Sequence, residues 1–342
     1  MTLKRKAGAA APSPQHRGWL RIGAAAALVL MALGLAAVFA HLWSSGRGFG
    51  GHSPPVPLLW KVSDADNSLY LLGSFHLLKP EDYPLSAEVD AAFDDAEALL
   101  FELPPSELGS PALAQAMNLA GSRGGGVLND DLSPQTAAQL RRWVAANGAA
   151  LAAMDLQADG LQRFEPWFAG LLISLTEMSK LGLNPELGLD RHFGNLATRA
   201  GKPAAGLERG AEQIALLDGM SRSEQLQLLQ EALDASDGGA QIMSMHADWR
   251  RGDADALWRE MALDFRRDYP ALYRRINIER NQAWLPKLEA RLQRQGTDDT
   301  LAVVGALHLL GEDGVVEQLR ARGYRVERLC GACARNAVPA SE

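Results

Sequence analysis

Cysteine is scarce in this chain: there are two, Cys330 and Cys333, both close to the C-terminus. A CxxC redox centre needs thioredoxin-like surroundings, and none is visible, so the pair is read as tail chemistry; in an oxidising compartment it could close a small local disulfide, and the sequence leaves the state of the two thiols open. Three familiar signatures are also missing, namely an HExxH helix, a GxSxG elbow and a GxxxxGK[ST] loop. Without them the standard zincin, nucleophile-elbow and phosphate-loop readings have no support. The glycine run Gly124 to Gly126 lacks the Lys-Ser/Thr that would cradle phosphate and is expected to be a loop. Acidic residues are absent from the first 45 positions, which hold five basic ones, and the rest carries 29 basic against 41 acidic residues. So acidic a domain lacks the basic surface with which nucleic-acid binders displace counterions, and no nucleic-acid partner is expected.

What the N-terminus does have is an uncharged apolar run of 19 residues, 22–40, IGAAAALVLMALGLAAVFA. As a helix that is long enough to cross a bilayer core. The flank of Lys4, Arg5, Lys6, Arg17 and Arg21 marks 1–21 as a basic region that stays in the cytoplasm. Residues 22–42 are then a transmembrane anchor or a signal peptide, and either one exports the remainder of the chain. A Gly/Ser/Pro linker is expected at 43–57, a folded domain at 58–330 and a flexible tail at 331–342. The main domain is thus expected outside the cytoplasm, periplasmic in a bacterium, either secreted or held to the membrane through its N-terminal segment. Nothing in the sequence sets the oligomeric state.

Two stretches echo each other. Residues 69–78 read LYLLGSFHLL and residues 301–310 read LAVVGALHLL, each an apolar run that closes on Gly-x-x-His. Runs of this kind suit strands buried on both faces. A strand at 58–62 and a turn at Asp64 to Asn67 precede the first copy, and a helix over 86–97 and the strand ALLFEL at 98–103 come after it. The second copy is followed by a helix in GEDGVVEQLRARG and a strand in YRVERL. Between the copies, from about 108 to 295, the pattern is almost wholly helical. It includes a helix opened by Ser133-Pro134, a capping box at Ser221 and Glu224, and a helix through RRINIERNQAWLPKLEARL with Pro286 inside it. The expected fold is α/β (α+β), a mixed β-sheet with flanking helices, built from two strand-GxxH-helix-strand units separated by a long helical insert.

Loops beyond the carboxyl ends of buried strands are where open α/β sheets form ligand sites, which places His76 and His308 at such a rim. A lone histidine is commonly a core or capping residue, but two at matched positions point to function. Glu102 ends the buried run of ALLFEL, where an unpaired charge would be costly. Arg280 and Asn281 fall inside the apolar arc of Ile276, Ala283, Trp284, Leu288 and Leu292, and a guanidinium there needs an anionic partner. Two imidazoles and a carboxylate suit a divalent transition metal, although a metal-free site with a histidine base fits the same residues. Asp190, His192, Glu208 and Asp218 are weaker candidates, and His246 and Asp248 are read as surface or structural residues.

The two GxxH copies (LLGSFHLL and VVGALHLLGEDG), the FEL strand, the segment GLDRHFGNLATRAGKPAAGLE and the triplet Glu279-Arg280-Asn281, in this order, resemble the TraB/GumN family, whose animal relatives are the Tiki proteins. The resemblance implies a fold like that of the erythromycin-esterase and ChaN-like group and, for the Tiki branch, a metal-dependent peptidase. Carried over, it implies His76, His308 and Glu102 as the residues at the metal; the expected ion is a divalent transition metal, Mn, Co or Zn, which the donor types alone do not choose between. Glu102 would otherwise be the general base, with Arg280 and Asn281 stabilising an oxyanion or a substrate carboxylate. Asp190 and Glu208 match the middle segment, whereas Arg209 stands where a small polar residue is expected. The expected function is an exported metal-dependent hydrolase, a peptidase, acting on a peptide or small-molecule substrate. The alternatives are a non-catalytic protein that binds a small ligand or porphyrin, and a metal-free esterase-type hydrolase with His76 as base.

Overall fold

The computed structural model describes residues 53–236 and 239–336. Its frame is a six-stranded mixed sheet in the order β4-β3-β5-β2-β1-β6. The strands are β1 (Leu59–Ser63), β2 (Ser68–Ser74), β3 (Ala98–Phe101), β4 (Ala204–Gly206), β5 (Thr300–Gly305) and β6 (Arg325–Arg328). The sheet and its flanking helices make an α/β fold, as the sequence pattern implies. β5 is buried at every position, as an apolar run covered on both faces should be, and it lies between β3 and β2.

β1 and β2 form the expected hairpin. Its turn is built by Asp64, whose Oδ1 accepts from the backbone N–H of Asp66 and of Asn67, each at 3.2 Å. The Asn67 side chain then donates to the carbonyls of Leu292 and Arg294, at 3.1 and 2.8 Å, fixing the end of the helix Glu279–Leu292 to the hairpin.

β4, β3, β5 and β2 run parallel, so their carboxyl ends open on one edge. That shared edge positions the site. His76 comes just after β2, Glu102 after β3 and Glu208 after β4, and Gly305 ends β5.

Several details depart from the sequence reading. The two units are not strict copies, because Gly73 pairs with Val304 and Ser74 with Gly305, so the motifs are one residue out of step. His76 lies in a loop, whereas His308 lies in a short helix, Ala306–Leu309. β6 closes against β1 at the far edge of the sheet. The helical insert supplies β4, which is too short and too exposed to show an apolar alternation. It also contains two π-helical turns, Arg259–Leu263 and Arg274–Ile278, the second running into the helix that carries Arg280.

At the ends, residues 53–57 have no regular structure but are tied down, since Val56 N–H donates to the Arg250 carbonyl at 2.8 Å and Arg328 donates to that of Pro57. Where a flexible tail was expected from 331, the chain forms the helix Gly331–Asn336, and Cys330 is disulfide-bonded to Cys333. No helix among the described residues is long and apolar enough to cross a membrane, and the expected span at 22–42 lies outside them.

Candidate functional site

Glu102 organises the shared edge. Its Oε1 accepts the Gly305 N–H at 2.7 Å and lies 3.8 Å from His76 Nε2 and 3.9 Å from His308 Nε2. Its Oε2 accepts from Arg280 Nη2 at 2.5 Å and from Gln213 Nε2 at 3.3 Å. A Cβ on residue 305 would sit 3.0 Å from Glu102 Oε1 and 3.1 Å from His76 Nε2. Glycine at that position therefore keeps the space between the carboxylate and the ring open. The two histidines, more than two hundred positions apart in sequence, thus meet beside one carboxylate.

Each ring is oriented by a partner on its other nitrogen. His76 Nδ1 is 2.6 Å from Asp190 Oδ2, the oxygen that also accepts from Ser74 Oγ at 2.5 Å. Asp190 reaches this point because Gly188, just before the helix Leu189–Ala200, packs directly on the His76 backbone, where a Cβ would collide with the carbonyl at 2.0 Å. His308 Nδ1 is 2.7 Å from Asn281 Oδ1, and the Asn281 amide nitrogen donates to the Asp313 carbonyl at 2.8 Å, which fixes the amide's orientation. His308 Nε2 is 3.0 Å from Arg280 Nη1. A guanidinium can only donate, so Nε2 accepts and the His308 proton resides on Nδ1.

Arg280 is the cation of the cluster. It also donates through Nε and Nη2 to Glu208, whose other contacts are Gln213 Nε2 at 2.6 Å and Trp284 Nε1 at 3.2 Å. The Trp284 ring lies 4.4 Å from the His308 ring and under the Arg280 guanidinium. Arg280 is thereby held more firmly protonated than usual: burial opposes its charge, but Glu102 and Glu208 outweigh it.

The two imidazoles are pushed apart in acidity. Burial works against a charged His76, yet the charge and hydrogen bond of Asp190, with Glu102, raise its pKa. For His308, burial, Arg280 and His76 act together and drive the pKa well below 6.5, so this ring is neutral. Asp190 is lowered, since His76 and Ser74 outweigh its burial.

Glu102 and Glu208 share the Arg280 guanidinium, while the third carboxylate, Asp190, is paired with His76. His76 Nε2 is buried and has no hydrogen-bond partner. The donor types fit a divalent transition ion. Among the described residues, however, no group of three or more His, Cys, Asp or Glu side chains is set for one, and Arg280 takes the His308 Nε2 lone pair. The cluster is nearly closed to solvent, with His76 at 5% exposure and His308 at 0%. Beside His76 is a cavity of about 10 Å³ bordered by Met261. Such a space suits about one water molecule.

A sequence model of the TraB/PrgY/gumN family matches residues 58–328. The chain belongs to this family. Within the curated relatives, it is 25% identical over 279 residues to "Uncharacterized protein YbaP" of Escherichia coli (strain K12), covering 82% of this chain and 97% of that protein. The YbaP of Shigella flexneri matches with the same identity and coverage. No solved structure matches.

In this member of the TraB/PrgY/gumN family, His76, Glu102, Arg280, Asn281 and His308 come together, and Asp190 and Glu208, the weaker candidates, join them. Ser74 and Gln213 escaped notice, because a serine inside an apolar strand and a glutamine on a helix carry no pattern of their own. His192 instead packs against Tyr83 with the rings tilted by 40°, and Asp218 is exposed at a helix end. Of the two roles expected for His246, surface or structural, the structural one fits: it is buried, with Nε2 2.8 Å from Asp82 Oδ2. Asp248 is buried too and paired with Arg251. Arg209 points outward, 73% exposed and paired with Glu107, so its departure from the expected pattern lies away from the cluster.

Proposed function

We propose that this protein is an exported metal-dependent hydrolase that cleaves peptide bonds. One observation carries the reading: two imidazole Nε2 atoms flank a single carboxylate oxygen, Glu102 Oε1, at 3.8 and 3.9 Å, and one of them, on His76, has no other partner. The residues that would hold the ion are His76 and His308 through Nε2 and Glu102 through Oε1. A divalent ion such as Mn, Co or Zn would supply a Lewis acid and make a bound water acidic enough to attack near neutral pH.

The chain's own groups would do the rest. Asp190 and Asn281 fix the ring tautomers that leave both Nε2 atoms facing Glu102. His308 would join by giving up its bond from Arg280, which frees Nη1 to meet a developing oxyanion or a substrate carboxylate. If Glu102 is not a ligand, it would instead be the general base that accepts the water's proton. A substrate larger than water would enter once the π-helical turn that carries Met261 moves aside. Peptide as the substrate class rests on the likeness to Tiki proteins. Export rests on the apolar segment at 22–42, and the disulfide Cys330–Cys333 suits an oxidising compartment.

The bond from Arg280 to His308 favours a second reading. In it the guanidinium already serves as the cation, and His76, backed by Asp190, acts as a metal-free base through Nε2. As arranged, the cavity of about 10 Å³ beside His76 gives a porphyrin no room. Metal analysis of the full chain, with a peptide-library assay before and after chelation, separates the two. Chelator-sensitive hydrolysis lost in His76→Ala and His308→Ala supports the first reading, chelator-insensitive hydrolysis supports the second, and unchanged metal-dependent turnover in both variants rejects the assignment.

A further inference from the structure

A second cavity, of about 220 Å³ and bordered by Asp190, lies between the loop after β3 and one face of the helix Leu189–Ala200. We infer that this groove binds a free α-amino acid as its zwitterion. The wall mixes apolar surface from Pro105 and Leu108 with the polar groups of Ser106, Asp190, Arg191, Asn195 and Thr198, and it carries one group of each charge on adjacent residues. Ser74 and His76 both bind Asp190 at Oδ2, and the carboxylate also accepts from its own backbone N–H, which leaves lone pairs on Oδ1 for a further donor. Arg191 spends Nη1 on the Leu108 carbonyl at 3.3 Å and Nη2 on Glu186 at 3.2 Å, two contacts from a group with five N–H donors.

An ammonium group has three donors to satisfy, and the Asp190 carboxylate, the Thr198 hydroxyl and the Asn195 amide carbonyl are acceptors of the right kind. A carboxylate beside it meets Arg191. A bare metal cation would face the Arg191 charge, and a simple anion would face Asp190; a zwitterion meets both. The volume is below the ~300–1,000 Å³ typical of sites for drug-sized ligands, which limits the occupant to a few heavy atoms. The groove shares Asp190 with His76, so its ligand touches the residue that orients a histidine of the candidate reactive cluster.

The inference does not depend on hydrolysis, and its test needs none. The full chain is titrated by calorimetry with L-alanine, L-alaninamide and N-acetyl-L-alanine. L-alanine binds saturably at one site, and the other two, each lacking one charge, bind at least about tenfold more weakly, the loss expected for one charge-assisted contact. Arg191→Gln brings alanine and alaninamide to the same affinity. Asn195→Trp and Thr198→Trp, both at exposed positions on the rim, fill the groove and remove binding, with circular dichroism reporting the fold. Equal binding of the three probes, no saturable binding of alanine, or undiminished binding in a folded tryptophan variant overturns the assignment. Alanine binding in a protein without hydrolase activity leaves it standing and counts only against the hydrolase reading.

Discussion

Arg280 Nη1 lies 3.0 Å from His308 Nε2, while the same guanidinium binds both Glu102 and Glu208. Removing it leaves two buried carboxylates without their counter-charge. Arg280→Met is therefore expected to cost about 3–5 kcal/mol of folding stability, the usual range for a buried charge pair broken from one side. Arg280→Lys keeps the charge but not the fork that reaches three partners at once, and falls between wild type and Met. Urea unfolding measures both; a Met variant as stable as wild type would show that the carboxylates do not depend on Arg280.

Gly305→Ala tests the space between His76 and Glu102. The backbone at 305, φ −51° and ψ 134°, is open to any residue, so the substitution brings no conformational penalty of its own. Its methyl would crowd Glu102 Oε1 and His76 Nε2 at 3.0 and 3.1 Å. The expected result is loss of metal uptake and hydrolysis, with stability lowered by about 1–3 kcal/mol, as for other overpacked sites. Metal content after dialysis, read beside thermal melting, checks this. Full metal binding in Gly305→Ala would mean that the ion sits elsewhere.

Asp190→Asn keeps the shape of the side chain and removes the charge that faces His76 Nδ1. The His76 pKa should fall, since burial is the main opposing influence and Asp190 the main support. Metal affinity or activity should drop by about 10–100-fold, the usual effect of losing a carboxylate behind a histidine ligand. Histidine ring NMR tracks the first effect and a metal titration the second. An unmoved His76 resonance would mean that Asp190 does not set this ring's state.

The strands and both histidines were readable in the sequence because apolar runs buried on two faces have few other uses, and Gly-x-x-His appears at the end of each. Arg280 and Asn281 were readable as polar residues on an apolar helix face, for which a buried partner is the physical remedy. Asp190 and Glu208 carried a weaker signal. Each lies at the end of a local stretch whose neighbours say nothing about the fold, and only the docking of Gly188 on His76 and the pairing of β4 with β3 bring them in. β4 itself was hidden because Ala204–Gly206 has almost no apolar surface to bury; its place is set by three backbone pairings with β3.

The opposed histidines set a pH optimum for stability in chelator-treated protein. His76 has a folded pKa raised above 6.5, so the stabilisation from its proton is fully present below 6.5 and is lost as pH rises through the folded value. His308 has a folded pKa well below 6.5, so its contribution is fully present above 6.5 and is lost as pH falls from there, because the unfolded chain takes a proton that the folded one refuses. Asp190, with a lowered pKa, adds its own loss only at pH below its ordinary value of 3.8. Together the histidines place a maximum near pH 6.5, with each limb approaching a slope of about 1.4 kcal/mol per pH unit for one proton. Urea unfolding from pH 5 to 8 measures the two limbs. His308→Gln should reduce the slope of the acid limb, to which His192, with a pKa lowered by burial and Arg199, also contributes, and spare the alkaline limb, whereas His76→Gln should do the reverse. An acid limb of undiminished slope in His308→Gln would show that this buried ring takes up its proton without unfolding the chain.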